Sequence, residues 1–339
     1  MSPEFIRAKA KQSFIALKNP YSSVYRVFPE AIDKIKKEPF SYIGVKNRPE
    51  IPVDFLKDLE ETGHYALHTL DVSSIGGRAI DTNLVNPISG RPMTGSSSGT
   101  AINVLLGINE VGIGTDGGGS VLAPAMALNL FSFISPSLCQ YHTGQFEKLS
   151  TDGHTFTPSI GFITRSLKEL TQIIRKTLPF KKDKISNCSI ITFVEDEKTH
   201  TLPVRQIQNK SVDIYDSREA LISFVKATNN KGNIILTKEG PIDFEGLGDS
   251  VLGHMGKKAK DYQRKGNKGL IRVANMANAA ALTVPTSDFA TAYVLIGKDT
   301  PEVIENMLTI AQHLAEDPDS LLSNYFSNFD NYFTDGYGL

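Results

Sequence analysis

Hydrophobic positions in the first third of the chain switch repeatedly between helical and extended spacing. In "PEFIRAKAKQSFIALK", Phe5, Ile6, Phe14, Ile15 and Leu17 fall loosely at helical intervals, which predicts an outer helix ended by the polar turn "NPYSS". "FSYIGVKN" reads as a short strand, "VDFLKDLEETG" as a helix closed by Gly63, and "HYALHTLDV" as a further strand. Residues 86–94 carry turn residues throughout; beyond them "TAINVLLGI" reads as a helix, "EVGIG" as a strand and "SVLAPAMALNLF" as an apolar helix. The text from 136 to 160 is loop-like and precedes the helical "SLKELTQIIRKTL". Within 180–265 stand two strand candidates, "CSIITFVE" and "NIILTK", with dense lysine patches that read as a solvated face. "GLIRVANMANAAALTVP", "FATAYVLIG" and "PEVIENMLTIAQHL" close the pattern as helix, strand and amphipathic helix. Strands alternating with helices predict an α/β layered fold, and no internal repeat interrupts it.

With 339 residues the chain can bury a sizeable core as one large domain or two ordinary ones, and 40% hydrophobic against 22% charged residues fits a globular protein. A net charge of -1 supplies no overall field for nucleic acid or an acidic membrane, so recognition must be local. The two cysteines, Cys139 and Cys188, make no disulfide framework and no CxxC pair, which fits a reducing compartment. The start "MSPEFIRAKAKQSF" lacks the apolar core of a signal peptide and no run of about 18 apolar residues follows, so the expected location is cytoplasmic.

Chemistry concentrates in "GSSSGTAINVLLGINEVGIGTDGGGSVLAPA", residues 95–125. Gly95 to Gly99 match G-x-S-x-G, the nucleophile elbow, which would make Ser97 a nucleophile with a histidine such as His142 or His154. That motif needs a strand before it, and "SGRPMT" is a poor one. Gly112 to Gly117 match G-x-G-x-x-G, but the neighbourhood 20 residues on, "SFISPSLCQ", holds no acid, and no lysine follows the glycines as in a phosphate loop. His64 and His68 stand four apart without an evident third metal ligand.

Taken whole, the stretch resembles the amidase signature family of serine hydrolases, whose core runs Gly-Gly-Ser-Ser-Gly, Gly-Thr-Asp-x-Gly-Gly-Ser, then Ile-Arg-x-Pro-Ala. The match covers Gly95, Ser96, Ser97, Gly99, Gly114 to Asp116, Gly118 to Ser120, Pro124 and Ala125, and Ser120 follows Ser96 by 24 residues as the family pattern requires. "YIGVKN" is similar to the segment presenting the family's catalytic lysine, here Lys46; "SIGFITRSLKEL", "ANMANAAALTVP" and "AYVLIG" resemble later family segments, and the likeness is weakest from 180 to 265.

The resemblance implies a short divergent member with a mixed twisted sheet flanked by helices on both faces. One amidase-like domain over 1–339 is expected, with a helical part at 1–38, a catalytic core at 40–178, a variable substrate-side region at 180–265 and core elements at 266–316. It implies cleavage of a carboxamide C–N bond, other than a peptide bond, through an acyl-enzyme. Ser120 attacks, and Ser96 relays a proton to a neutral Lys46 whose pKa burial must lower. Gly117, Gly118 and Gly119 with Ser120 would present the oxyanion hole; Ser97, Thr115 and Asp116 would support it, and the family's cis peptide is expected beside Ser96. No metal or organic cofactor is implied. A small-molecule amide is the expected partner, with a homo-oligomer or partner subunit left open and nucleic acid and membrane not expected. The alternatives are a non-catalytic amidase-like binding protein and a glutamine-hydrolysing amidotransferase subunit.

Two departures from the family pattern stand out. Leu122 occupies the place where an arginine commonly pairs with the Asp of Gly-Thr-Asp, leaving Asp116 without its expected partner, and "FSFISPSL" replaces a Gly-Leu-Lys-Pro-Thr segment.

Overall fold

The computed structural model describes residues 2–180, 188–194, 197–209, 212–317, 319–326 and 328. Lysines 181, 182 and 184, and Glu195 at the end of one expected strand, lie outside the described residues. In chain order the strands are β1 (Val24–Val27), β2 (Ser41–Lys46), β3 (Tyr65–Asp71), β4 (Ile80–Val85), β5 (Pro92–Thr94), β6 (Val111–Asp116), β7 (Phe131–Ser135), β8 (Lys148–Leu149), β9 (Thr155–Phe156), β10 (Ser159–Thr164), β11 (Ser189–Thr192), β12 (Gln206–Asn209), β13 (Asn233–Glu239), β14 (Ala279–Pro285) and β15 (Ala292–Lys298). Eleven of them form one mixed sheet in the order β1-β3-β2-β6-β10-β7-β14-β15-β13-β11-β12.

Both faces of this sheet are covered. Phe133 and Ile134 are adjacent in β7 and both fully buried, yet they enter different apolar clusters, as do Leu295 and Ile296 in β15. Successive side chains of a strand point to opposite faces, so burial of both requires helices above and below. Helices Ser98–Leu105 and Leu122–Met126 supply one cluster, Leu167–Thr177 and Pro301–Leu314 the other. This is the α/β architecture with a helix-flanked mixed sheet expected from the sequence.

Four local expectations are corrected. The apolar run after Ser120 is helical only over Leu122–Met126; Asn129 takes a left-handed φ of 51° and the chain enters β7. The stretch "GLIRVANMANAAALTVP" is a 3-10 turn at Leu270–Arg272 followed by β14, whose alanines sit in the sheet centre between β7 and β15, where tertiary pairing overrides alanine's helix preference. Pro92–Thr94 is a strand after all, short and paired only with β4. The loop-like text before 160 contains the small hairpin β8–β9 and the first residues of β10. Region 180–265 also contains helices not anticipated, the longest being Arg218–Asn229 and Lys257–Arg264, with short ones at Glu197–His200 and Ser250–Gly253.

The arrangement that positions the site is local to one part of the sheet. β2 runs parallel to β3 on one side and to β6 on the other, with Val45 opposite Ile113. Lys46 ends β2 and Asp116 ends β6, so two parallel neighbours bring their carboxyl ends to the same edge, with Asp116 two residues beyond the position opposite Lys46.

Candidate active site

Lys46 is buried at the end of β2, only 3% exposed. Its Nζ donates to Ser96 Oγ at 2.7 Å, to Thr115 Oγ1 at 2.9 Å and to the Thr115 carbonyl at 3.2 Å. Burial drives its pKa down to about 7; the Glu50 carboxylate works against that shift, and the Arg48 guanidinium assists it. Glu50, itself buried, is ion-paired with Lys148 and carries no signal in the sequence. A neutral amine has two N–H bonds and one lone pair. With both N–H bonds spent on Thr115, the lone pair is directed at the Ser96 hydroxyl, which can then donate to it.

The serine cluster and the glycine loop meet through the backbone. Ser97 N donates to the Ser120 carbonyl at 3.1 Å, pinning the loop after β6 onto the cluster. Only a glycine at 114 allows the cluster to lie so close to β6, because a Cβ there would fall 2.5 Å from Ser97 Oγ. That hydroxyl is fully buried without a hydrogen-bond partner among the described residues, which removes Ser97 from contention as an elbow nucleophile. Ser98 Oγ donates to Asp81 Oδ2 at 2.6 Å, so Asp81, another residue that no motif marks, anchors the start of the following helix. The cis peptide expected beside Ser96 is absent: the two cis bonds among the described residues both precede proline, at Glu38-Pro39 and Gly240-Pro241.

Asp116 replaces its missing arginine with backbone. Its carboxylate accepts from Gly119 N at 2.7 Å, Val121 N at 2.6 Å and Leu122 N at 3.3 Å. Complete burial raises its pKa while these N–H groups oppose the rise. The bond to Gly119 corrects one expectation, since a donor held by a buried carboxylate is not offered to substrate. The N–H groups of Gly117, Gly118 and Ser120 have no protein acceptor among the described residues. Gly119 itself takes φ of 95°, which a side chain would strain.

Ser120 opens onto a cleft of about 530 Å³, whose other walls come from the 213–218 segment, the 248–264 segment and Arg272. The turn Leu270–Arg272 packs its backbone on the glycine loop: ideal Cβ atoms on Gly118 and Gly119 would lie 3.4 Å from Arg272 O and 3.3 Å from Ile271 O. Asn275, also unforeseen, ties that loop down by donating to the carbonyls of Gly117 at 3.3 Å and Thr157 at 2.9 Å. His68, paired with His64 as a metal candidate, has both ring nitrogens engaged, with Asn109 at 2.8 Å and Ser13 at 3.0 Å. Cys139 is half-buried against the core, and burial pushes its thiol up to about 11. Among the described residues no helix is long and apolar enough to cross a membrane.

Neither a protein-family model nor a curated protein sequence matches the chain. Solved structures do. A glutamyl-tRNA(Gln) amidotransferase subunit from Thermotoga maritima superposes with a TM-score of 0.61 at 13% identity, covering 93% of this chain and 92% of that one. The 6-aminohexanoate cyclic dimer hydrolase superposes at 0.59 and 12%, covering 94% and 95%. The peptide amidase of Stenotrophomonas maltophilia superposes at 0.55 and 11%, covering 91% and 94%. The chain therefore has the fold of the amidase-signature proteins.

Proposed function

We propose that this protein is a member of the amidase signature family and hydrolyses the C–N bond of a carboxamide through an acyl-enzyme on Ser120. The observation that carries the reading is the 2.7 Å contact between buried Lys46 Nζ and Ser96 Oγ, placed one backbone hydrogen bond away from the loop that presents Ser120. An alkyl hydroxyl is a poor nucleophile until its proton is removed, and a lysine with a pKa of about 7 is neutral often enough to do this near neutrality.

In the forward step the Ser120 Oγ lone pair bonds to the carbonyl carbon while its proton passes to Ser96 Oγ, and the Ser96 proton passes to Lys46 Nζ. The carbonyl π pair becomes the oxyanion, held by N–H groups of Gly117, Gly118 and Ser120, each worth about 3 kcal/mol of barrier. Collapse expels the amine, whose nitrogen takes the relayed proton back. Water then attacks the Ser120 ester by the same route and releases the acid. The likeness to amidases and to an amidotransferase component supports this chemistry over unrelated hydrolases.

A serine-reactive sulfonyl fluoride or phosphonate, followed by peptide mass mapping, tests it. The expected result is an adduct on Ser120 that is lost in Lys46→Ala, together with hydrolysis of small amides that Ser120→Ala abolishes and Ser96→Ala lowers by orders of magnitude. Full activity in Lys46→Ala would sink the relay. Turnover that arises only with a co-purifying protein would instead assign the chain to an amidotransferase assembly.

A further inference from the structure

Charged side chains of both signs line the cleft onto which Ser120 opens. Of the cations lining the cleft, Arg218 is paired with Asp152 at 2.9 Å and Arg264 with Asp213 at 2.8 Å, while Lys268 pairs with Asp243 at 2.6 Å; exposed Lys260 lines it as well, as do the carboxylates of Asp216 and Asp261. Arg272 has no carboxylate partner among the described residues. Its Nε donates to the Gly269 carbonyl at 3.1 Å, and its Nη2 donates to Asp216 O at 3.2 Å and Ile214 O at 3.4 Å. The Nη1 N–H pair is left over. A guanidinium is always charged and presents its donors as a planar fork; within hydrogen-bond reach this one meets only carbonyls, while Glu239 and Asp152 act on its charge from farther off and leave the Nη1 donors for a further anion.

The fold holds this fork firmly beside the glycine loop. Buried Glu239 accepts from Gly269 N at 2.8 Å and Leu270 N at 2.9 Å, fixing the turn that carries Arg272. The same turn rests on Gly118 and Gly119. Arg218, whose side chain is 15% exposed, stands near enough that its charge, after burial, presses on that of Arg272. Asp152, paired with Arg218, and buried Glu239 offset part of the repulsion between the two guanidiniums, and an anion on the Arg272 Nη1 donors offsets more of it.

We propose that Arg272, backed by Arg218, seats a carboxylate of the substrate, which is therefore the amide of a small acid carrying a second, free carboxylate. The proposal rests on the amide-hydrolysis reading above for its name as a substrate site, but not for its binding chemistry. One end of the molecule is held by the Nη1 N–H groups through charge-assisted hydrogen bonds, and the amide end is turned toward Ser120 within the same cleft. Neutral amides of equal length lack that anchor.

Calorimetric titration with succinate and glutarate, the acids such amides would yield, tests the seat without requiring turnover. Wild type and Ser120→Ala should both bind one of them saturably, and Arg272→Gln should weaken that binding by about 10- to 100-fold. Alongside, kcat/KM for succinamate over butanamide should fall by a similar factor in Arg272→Gln. Because Arg272 also tethers the 214–216 backbone, Arg218→Gln is measured in parallel and carries the test on the same criteria if the first variant does not fold. No binding of either diacid to wild type, or equal binding in the folded variants, overturns the carboxylate seat; Ser120-dependent hydrolysis of neutral amides would then leave the amidase reading standing. Diacid binding lost in Arg272→Gln with no amide cleaved by wild type keeps the seat and removes the amidase reading.

Discussion

Lys46 Nζ lies 2.7 Å from Ser96 Oγ, and its two remaining contacts both go to Thr115, so its protonation state decides which way the hydrogen bond to the serine runs. Protonated, the ammonium donates to Ser96 and cannot take a proton; neutral, it accepts one. As pH rises through about 7 the lysine loses its proton, and kcat/KM should rise with it. Because the Glu50 carboxylate holds the lysine pKa up, Glu50→Gln should move the acid limb of the profile to lower pH. A profile flat from pH 5.5 to 8.5 counts against Lys46 as the base.

The same buried amine weakens the fold. In the unfolded chain Lys46 titrates near 10.5, and in the folded one at about 7. Between those values a falling pH protonates the unfolded chain first, so stability declines as pH drops from 10.5 and the loss is complete below 7. Lys46→Met should therefore raise stability at pH 7 by roughly 1–2 kcal/mol while ending turnover. Urea unfolding gives the answer, and a lower midpoint in the variant would contradict it.

Asp116 holds three backbone N–H groups with one carboxylate. Asp116→Ala leaves them buried and unpaired, and the expected cost is about 3 kcal/mol or more. Asp116→Asn keeps one carbonyl acceptor, so it should fold yet loosen the loop that presents Ser120, lowering kcat by about 100-fold. Unchanged kcat in a folded Asp116→Asn would mean that the loop stands without this anchor.

A second buried polar chain crosses β3. His68, stacked on Tyr42 at 4.2 Å, is held down at about 4 by burial, while Asp71 is pushed up to about 7 by its own burial. As pH falls from 6.5 toward 4 the unfolded chain protonates at His68 and the folded one does not, so stability declines; over the same interval folded Asp71 takes a proton that the unfolded chain, near 3.8, does not, and stability gains. The two slopes oppose each other. Asp71→Asn removes the gain and should make urea stability fall more steeply between pH 6.5 and 4.5 than in wild type, and parallel slopes would refute the assignment.

Much of this was legible in the sequence, and the failures have physical causes. Lys46, Ser96 and Ser120 are reached through the resemblance of their segments to the amidase signature pattern, and the structure brings the first two into hydrogen-bond contact. Glu50, Asp81 and Asn275 could not be read, because a carboxylate or amide that tunes or anchors a site is recognised only by what it touches after folding. The alanines of β14 carry a helical preference that sheet pairing overrides, and Asn129 ends a helix through a backbone angle that no hydrophobic period encodes. Gly119 fits an oxyanion motif in sequence, and only the bond to Asp116 reveals that its N–H is taken.

The proposed reactive groups all come from residues 46–120, whereas most of the cleft wall opposite them comes from residues 213–272. The two segments meet at the backbone of the Leu270–Arg272 turn and through side-chain links such as Arg78 with Asp249, Thr94 with Asp243 and Lys268 with the Ala79 carbonyl. On the proposed reading, substitutions of wall residues away from those links retune which molecule is preferred and leave the reactive groups in place, so preference and reactivity can be selected along largely separate stretches of one gene.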